Sequence, residues 1–155
     1  MFNKRVRTDK LPQHIAFIMD GNGRWAKKKL LPRTAGHAAG VYALKRVIQS
    51  AYDLGIRYVT FYAFSTENWK RPQEEIDALF EIFRNFLKEN REEYLKKDIK
   101  LAVLGDMSRF PDDIRRSVEE ILEKTKDCGK MVVSIAFNYG SRDEIVTAAR
   151  KLCDS

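Results

Sequence analysis

An apolar run of strand length passes directly into a glycine-rich turn near the start of this chain. Residues 14–25 read HIAFIMDGNGRW, and a stretch that favours helix follows them. A strand that leads into a helix through such a turn is typical of an open α/β sheet, in which ligands gather at the carboxyl ends of the strands. This stretch therefore restricts the fold and indicates where a binding site lies.

The chemistry of the turn suits a phosphorylated ligand. The bare backbone at Gly21 and Gly23 lets amide groups approach phosphate oxygens, and the guanidinium of Arg24 can donate paired hydrogen bonds to them. The carboxylate of Asp20 can hold a hard divalent cation. The alternative is a β-hairpin turn, because Asp-Gly and Asn-Gly pairs are strong hairpin signals. Residues 27–29 are all lysine where a second strand would begin, which favours the strand-to-helix interpretation.

Four apolar runs rich in β-forming residues recur along the chain, and each precedes a segment with helical periodicity. The runs lie at 15–19, 58–64, 101–104 and 131–137. The helical segments lie at 34–54, from 72 with a solvated end over 89–97, at 111–126, and from 141 to the end. We therefore expect one domain over residues 1–155, of the α/β class, with an open parallel sheet, helices on both faces and right-handed crossovers.

Composition favours anionic partners and a reducing compartment. The 29 Lys and Arg residues outnumber the 22 Asp and Glu residues and give a net charge of +7, which suits nucleic acid, an acidic membrane surface or a phosphorylated metabolite. Cys128 and Cys153 lack the spacing of a zinc site or a disulfide framework, so we expect a cytoplasmic protein. Residues 1–13 are basic without an apolar core, so we expect neither a signal peptide nor a membrane span, and any membrane contact is peripheral.

A second polar loop, with the sequence FSTENWKRP, follows the second apolar run. Because the carboxyl ends of neighbouring parallel strands meet at one edge, we expect this loop to share a crevice with the first turn. The alternative is a helix N-cap made by Ser65 or Thr66, with Trp69 in the core. Capping accounts for one residue but not for Asn68, Trp69 and Arg71 together.

Arg33 and His37 stand among small residues at the predicted start of the first long helix. A helix N-terminus can bind phosphate through its free amides and its dipole. His37 can donate a hydrogen bond there or pass a proton. A lone histidine is as often structural, so both roles of His37 stay open.

Two further patterns have two interpretations each. The apolar stripe of the second long helix is either core or the wall of a cleft that accepts a hydrocarbon. The lysines at 27–29 form either a solvated face or a contact with an anionic membrane. The stripe comprises Ile76, Leu79, Phe80, Phe83 and Leu87.

The same motifs carry a resemblance to a known family. The stretches 14–26, 36–40, 62–72, 105–106 and 138–142 are similar to the motifs of the cis-prenyltransferases and occur in the same order. Within that family the chain resembles the bacterial undecaprenyl diphosphate synthases, or isoprenyl transferases. The resemblance implies their fold, and a Mg²⁺-dependent condensation of isopentenyl diphosphate onto an allylic diphosphate such as farnesyl diphosphate. It also implies a long-chain polyprenyl diphosphate product, such as the cell-wall lipid carrier undecaprenyl diphosphate, and a homodimer.

The resemblance implies roles for individual residues as well. Asp20 would hold Mg²⁺ and assist departure of the diphosphate, and Asn68 would accept the proton after carbon–carbon bond formation. Because an amide is a weak base, we expect Asn68 to position its neighbours and relay the proton to diphosphate or His37. The implied cradle of the allylic diphosphate comprises Gly21, Asn22, Gly23, Arg24, Arg33 and His37. The implied supports and substrate wall comprise Ser65, Thr66, Glu67, Trp25, Trp69 and Arg71.

The resemblance also implies where the product grows. The lengthening hydrocarbon would lie in a cleft beside the second long helix, so the depth of the cleft would set product length. The residues beside it would be Ile76, Leu79, Phe80 and Phe83.

The chain departs from the family in one respect. The family continues to an Arg-Thr-x-Gly-Glu-x-Arg-x-Ser-Asn-Phe segment that binds isopentenyl diphosphate, and to a later glutamate at the metal site, whereas these 155 residues contain no match to that segment. We therefore expect a fragment or natural truncation, with a sheet that lacks its last strands and an exposed edge prone to self-association. The alternative function is an inactive allylic-diphosphate-binding fragment or a non-catalytic subunit. We expect no nucleic-acid partner, because the basic residues are dispersed and no recognised motif accompanies them.

Overall fold

The computed structural model describes residues 10–153, so the prediction for residues 1–9 lies outside the described part. In chain order the elements are β1 (His14–Ile18), α1 (Asn22–Lys28), α2 (Arg33–Asp53), β2 (Tyr58–Ser65), α3 (Gln73–Lys96), β3 (Ile99–Leu104), α4 (Asp112–Thr125), β4 (Met131–Tyr139) and α5 (Ser141–Cys153). A short 3₁₀ helix, Thr66–Lys70, joins β2 to α3. None of the helices within residues 10–153 has the length and apolarity to cross a membrane.

Within residues 10–153 four strands form one parallel sheet in the order β1-β2-β4-β3. Phe17 of β1 pairs with Phe61 of β2, and Phe61 pairs with Ile135 of β4. The rings of Phe17 and Phe61 stack with their centroids 5.3 Å apart. The expected open parallel α/β sheet is confirmed, and the carboxyl ends of β1 and β2 lie side by side.

The hydrophobic core lies between the sheet and the helices α2, α3 and α4. Phe61 and Ile135 point to the same side of the sheet and are both buried. They share one core with Ile48 of α2, Phe83 of α3 and Ile114 of α4. Because the helices and strands bury a continuous apolar layer, they form one packed unit.

The helix α3 buries its predicted apolar stripe, but the solvated end expected over 89–97 is wrong in part. Asn90 and Tyr94 are buried, and the ring of Tyr94 packs on that of Phe86 at 6.3 Å. Ile48 of α2 and Ile99 of β3 lie beside Tyr94. Helical periodicity alone did not reveal that two other elements cover this end of α3.

Close packing of α1 on α2 depends on two glycines. A Cβ atom at Gly36 would lie 2.2 Å from the backbone oxygen of Asn22, and a Cβ atom at Gly40 would lie 2.5 Å from Nδ2 of Asn22. At Gly36 the clash is with backbone and excludes any side chain without a shift of α1, whereas at Gly40 the Asn22 side chain would have to move. The hairpin alternative for this segment is wrong, because the residues after Gly21 form a helix.

The β1 edge of the sheet and the helix α5 are open surfaces of the described part. β1 has a sheet partner on one side only within residues 10–153, and Ile18 at its end is 80% exposed. All residues of α5 are exposed. The structure therefore has the free sheet edge that the sequence predicts, and self-association through this edge stays a prediction.

Candidate active site

The two predicted loops meet at the carboxyl ends of β1 and β2. These strands are neighbours in the sheet, and the amide of Met19 donates a hydrogen bond to the carbonyl oxygen of Tyr62 at 3.2 Å. Each loop then enters a helix, α1 after β1 and the 3₁₀ helix after β2. The loops therefore lie at the same edge of the sheet, and the shared crevice that we expect from the sequence stays a prediction.

Asp20 stands in the first turn with its carboxylate open to solvent. Its side chain is 74% exposed and accepts a hydrogen bond from Arg24 at 2.8 Å. The amide of Gly21 donates to the other carboxylate oxygen at 2.5 Å. Gly21 has a φ of 89°, a left-handed conformation that favours glycine. The turn thus presents an accessible carboxylate and a guanidinium side by side.

The other residues of the first turn have separate places. A Cβ atom at Gly23 would lie 2.8 Å from Nε of Arg33, so the missing side chain makes room for the Arg33 guanidinium. The carboxamide of Asn22 packs against Gly40 of α2. Trp25 is 45% exposed on α1. The structure brings the two arginines to the turn and uses Asn22 for packing, and the binding roles of these residues stay predictions.

Glu75, in the first turn of α3, joins Arg33 and His37 of the predicted diphosphate cradle to Arg71 of the predicted substrate wall. Its side chain is only 9% exposed. One carboxylate oxygen accepts hydrogen bonds from Nε2 of His37 at 3.0 Å and from Arg71 at 3.1 Å. The other oxygen accepts one from Arg33 at 3.3 Å. We call these four side chains the Glu75 network.

The charge of Glu75 is stabilised by its partners. Burial by itself raises the pKa of the carboxyl group, but the hydrogen bond from His37 and the charges of Arg71 and Arg33 outweigh it and hold the pKa below its usual value. The sequence analysis missed Glu75, although its spacing of four residues from Arg71 on a helix was visible. His37 has a structural role in this network, and a role in catalysis stays a prediction.

The second loop is closed by a capping box. The backbone amide of Ser65 donates to Oδ1 of Asn68 at 3.1 Å, and the Ser65 hydroxyl accepts the backbone N–H of Asn68. The N-cap alternative is therefore right for Ser65, although the helix it caps is the 3₁₀ helix and not α3. This pairing fixes the orientation of the Asn68 carboxamide at the edge of the site.

Thr66 and Glu67 point in different directions from the loop. Thr66 packs against the backbone of Gly140, where a Cβ atom would lie 2.6 Å from Oγ1 of Thr66. Glu67 is exposed. Thr66, Asp106 and Asn138 line an open cavity of about 1020 Å³ at the ends of β3 and β4. The motif stretches 105–106 and 138–142 therefore lie next to the second loop.

Trp69 links the second loop to β4. Its indole N–H donates to Oδ1 of Asn138 at 2.7 Å, and the guanidinium of Arg109 lies 4.3 Å from its ring centroid. Its ring packs edge-on against Phe64 and Phe110, with centroids 5.0 and 5.5 Å away. The core interpretation of Trp69 is thus supported, and its place in a substrate wall stays a prediction. Asn138 has a left-handed φ of 47°, which Asn tolerates better than most residues.

An apolar cavity begins at the Glu75 network. It measures about 560 Å³, including the solvent at its mouth, and His37 and Asn22 are among its lining residues. Its remaining lining residues are Met19, Val41, Leu44, Ala63, Leu79, Ile82, Phe83, Phe86, Ile135 and Phe137. Of the residues predicted beside a hydrocarbon, Leu79 and Phe83 line it. Phe80 instead packs on Trp69 at 5.9 Å, so the apolar stripe of α3 serves both as cavity wall and as core.

No cluster of three or more His, Cys, Asp or Glu residues that could hold a metal is present in residues 10–153. Asp20 therefore belongs to no such cluster within these residues. Mg²⁺ commonly binds through one or two carboxylates together with phosphate oxygens of a substrate, and it keeps several waters. An exposed oxygen ligand at Asp20 fits that pattern.

Comparison with known proteins decides the family. The family model Prenyltransf, which describes undecaprenyl diphosphate synthase, matches residues 18–155. The chain belongs to this family. It is 47% identical over 146 residues to an isoprenyl transferase of Clostridium perfringens, a match that covers 94% of this chain. The match spans 58% of the length of that isoprenyl transferase.

Solved structures of the same family have the same fold. Lavandulyl diphosphate synthase from Lavandula x intermedia, solved with dimethylallyl diphosphate, superposes with a TM-score of 0.88 at 34% identity, over 92% of this chain and 61% of that one. A Campylobacter jejuni protein named as an undecaprenyl diphosphate synthase superposes with a TM-score of 0.74 at 35% identity, over 92% of this chain and 62% of that one. The resemblance and the fold stated from the sequence are both confirmed.

Replacing Glu75 tests whether its charge holds the network together. We expect Glu75→Gln to lower the free energy of unfolding by about 2 kcal/mol, because it weakens charged hydrogen bonds in a buried place, as measured by urea unfolding. The stabilisation by the carboxylate is present above its ordinary pKa of 4.5 and is lost as pH falls through the lowered pKa of the folded state. The difference in the free energy of unfolding between wild type and Glu75→Gln therefore shrinks as the pH falls below 4.5.

The matched control is Glu74→Gln, because Glu74 is the exposed neighbour of Glu75 on the same helix. It should change stability by less than about 0.5 kcal/mol. A difference between wild type and Glu75→Gln that stays constant from neutral pH to about pH 3 contradicts the argument from linkage.

Replacing Asn138 separates its hydrogen bond from its backbone conformation. Asn138→Gly keeps the left-handed backbone but removes the acceptor, whereas Asn138→Asp keeps an acceptor. We expect the indole proton of Trp69 to exchange with solvent about fivefold faster in the glycine variant, the effect of losing one hydrogen bond, and to stay protected in the aspartate variant. NMR measures the exchange rate of each indole proton directly. The chain has 2 Trp residues, so Trp25→Phe shows which of the two signals belongs to Trp69. Equal protection in all three proteins would show that Asn138 does not hold the indole.

Proposed function

We propose that this chain is part of an enzyme that condenses isopentenyl diphosphate onto an allylic diphosphate, such as farnesyl diphosphate. The product is a long-chain polyprenyl diphosphate such as undecaprenyl diphosphate, and the reaction uses Mg²⁺. The enzyme works in the cytoplasm as a homodimer, with peripheral contact to a membrane, and residues 1–155 form one domain of it. Family membership supports prenyl transfer, and the substrates rest on the arguments below.

One observation carries the proposal: cationic side chains stand at the mouth of an apolar cavity. His37 belongs both to the cavity lining and to the Glu75 network, which holds Arg33 and Arg71 at the same place. An allylic diphosphate has the matching shape, with an anionic head and a hydrocarbon tail. The head pairs with the cations and the tail enters the cavity, which excludes water from it.

The chemistry of ionisation follows from the first turn. Departure of an allylic diphosphate builds negative charge on oxygen, which preorganised donors stabilise. Arg24, Arg33 and the amides of the turn supply such donors, and the carboxylate of Asp20 would hold Mg²⁺. When bound, Mg²⁺ neutralises charge on the departing diphosphate.

The second loop serves the proton that leaves after the new carbon–carbon bond has formed. Oδ1 of Asn68 already accepts the amide hydrogen of Ser65, which fixes the carboxamide. An amide is a weak base, so Asn68 orients the reacting groups, and a diphosphate oxygen or His37 takes up the proton. Glu67 and Thr66 support the loop, while Trp25, Trp69 and Arg71 complete the walls around the substrate.

Removal of the Asp20 carboxylate tests the proposal. We expect Asp20→Ala to lower the incorporation of labelled isopentenyl diphosphate into lipid by at least about 100-fold, with farnesyl diphosphate and Mg²⁺ supplied. Asp53→Ala is the matched control, because Asp53 is an exposed carboxylate at the far end of α2. Turnover that survives in Asp20→Ala contradicts the role of Asp20. Farnesyl diphosphate binding without turnover in the unmodified chain identifies the non-catalytic alternative.

Cavity depth gives a second prediction, for product length. Val41 lines the apolar cavity, whereas Val47, on the same helix and also partly buried, lines a different groove beside β1. We expect Val41→Phe to shorten the main product by a whole isoprene unit or more, because the added ring occupies the path of the tail. Val47→Phe should leave product length unchanged. Thin-layer separation of the dephosphorylated products measures both, and equal lengths in the two variants contradict the assignment of the cavity.

A further inference from the structure

The turn that ends α1 exposes a leucine in a costly conformation. Leu30 is 95% exposed, more than any other large apolar side chain of residues 10–153. Its φ of 57° lies in the left-handed region, which is unfavourable for every residue with a Cβ atom except in special contexts. We call residues 27–31, with the sequence KKKLL, the basic turn.

The hydrogen bonds of the basic turn explain its backbone conformation but not why leucine occupies position 30. The amide of Leu31 donates to the carbonyl oxygen of Ala26 at 2.9 Å, and the amide of Leu30 donates to that of Lys27 at 3.1 Å. This pair of bonds is the Schellman motif, in which glycine normally occupies the left-handed position. The fold would be served better by glycine at position 30, so the leucine side chain adds strain and buries nothing within the chain.

Three lysines directly precede this leucine in the chain. Lys27, Lys28 and Lys29 are all exposed, and no acidic side chain in the described part of the chain forms an ion pair with them. Leu31 adds a second apolar side chain, 45% exposed. The basic turn therefore presents exposed apolar side chains next to exposed lysines, a combination typical of peripheral membrane surfaces.

The basic turn also adjoins the candidate active site. Arg24, Arg33, Lys27 and Leu30 line one open groove of about 960 Å³. Two of these residues belong to the predicted diphosphate cradle. A surface held against the basic turn would therefore lie next to the place where the lipid diphosphate binds.

We propose that the basic turn docks the protein on an anionic lipid bilayer. Leu30, with Leu31 beside it, inserts into the boundary between headgroups and acyl chains, and the three lysines contact anionic headgroups. The purpose of this docking is the transfer of lipid between the active site and the bilayer, and that purpose rests on the proposed function. The docking itself depends only on the exposed leucine and the exposed lysines. A nucleic acid would use the lysines but has no use for an exposed leucine.

The test measures binding to vesicles without any substrate. Sedimentation with vesicles of equal parts phosphatidylglycerol and phosphatidylcholine should capture the protein, and pure phosphatidylcholine vesicles should not. Leu30→Gly should weaken capture about tenfold, because the variant has no leucine side chain at position 30 to move from water into the bilayer. It should also raise the melting temperature by about 2–4 °C, because glycine relieves the left-handed strain. Weaker binding by a more stable protein excludes unfolding as the cause.

Two further variants complete the design. Leu95→Asn is the matched control, because Leu95 is also an exposed leucine, 40% exposed at the end of α3. The end of α3 leads into the amino end of β3, so Leu95 lies at the opposite edge of the sheet from α1. It should bind like wild type. Replacing Lys27, Lys28 and Lys29 with Gln should abolish capture at low salt.

Three outcomes overturn the proposal. The first is equal capture of Leu30→Gly and wild type. The second is binding that needs the lysines, ignores Leu30 and is competed away by an oligonucleotide, which identifies a general polyanion surface. The third is no capture by anionic vesicles. Each outcome leaves the proposed prenyl transfer untouched, because prenyl transfer is measured separately, with soluble farnesyl diphosphate and no vesicles. The third outcome also contradicts the proposed membrane contact.

Discussion

The buried carboxylate of Glu75 has to be paired, because an unpaired charge away from water carries a large free-energy penalty. Its partners come from the start of α2, through Arg33 and His37, and from the segment just before α3, through Arg71. The pairing fixes how the starts of α2 and α3 lie against each other, and it gathers three cationic or polar donors at one point. The same interaction therefore holds two helices in place and creates the charged mouth of the apolar cavity.

Several residues of the site motifs also hold the fold together. Asn22 packs between α1 and the glycines of α2 while it lines the cavity. Asn68 closes a capping box, and Trp69 joins the aromatic core to Asn138. A substitution at any of these positions therefore changes the local structure. Glycine in place of Asn138 and glutamine in place of Glu75 are informative because they preserve the backbone or the shape.

The fold by itself does not choose the product. Two solved structures of this family superpose on the chain, one named for lavandulyl diphosphate and one for undecaprenyl diphosphate. One scaffold therefore accompanies different prenyl products, and specificity has to lie in the side chains of the site. In this chain the apolar walls from α2, α3 and the sheet are the surfaces that could make that distinction.

Local patterns in the sequence were enough to predict the strands, the long helices and the position of the two polar loops at one edge of the sheet. Hydrophobic periodicity and the order of the elements along the chain specify these features. The helix expected at 34–54 is Arg33–Asp53, and the strand expected at 58–64 is Tyr58–Ser65. The Glu75 network and the Trp69–Asn138 bond were not accessible in this way, since they join residues 38, 42 and 69 positions apart. Long-range packing also buries Tyr94 and assigns Leu79 to the cavity but Phe80 to the core. Periodicity shows which side chains leave water, but only the arrangement of helices around the sheet determines what each one meets there.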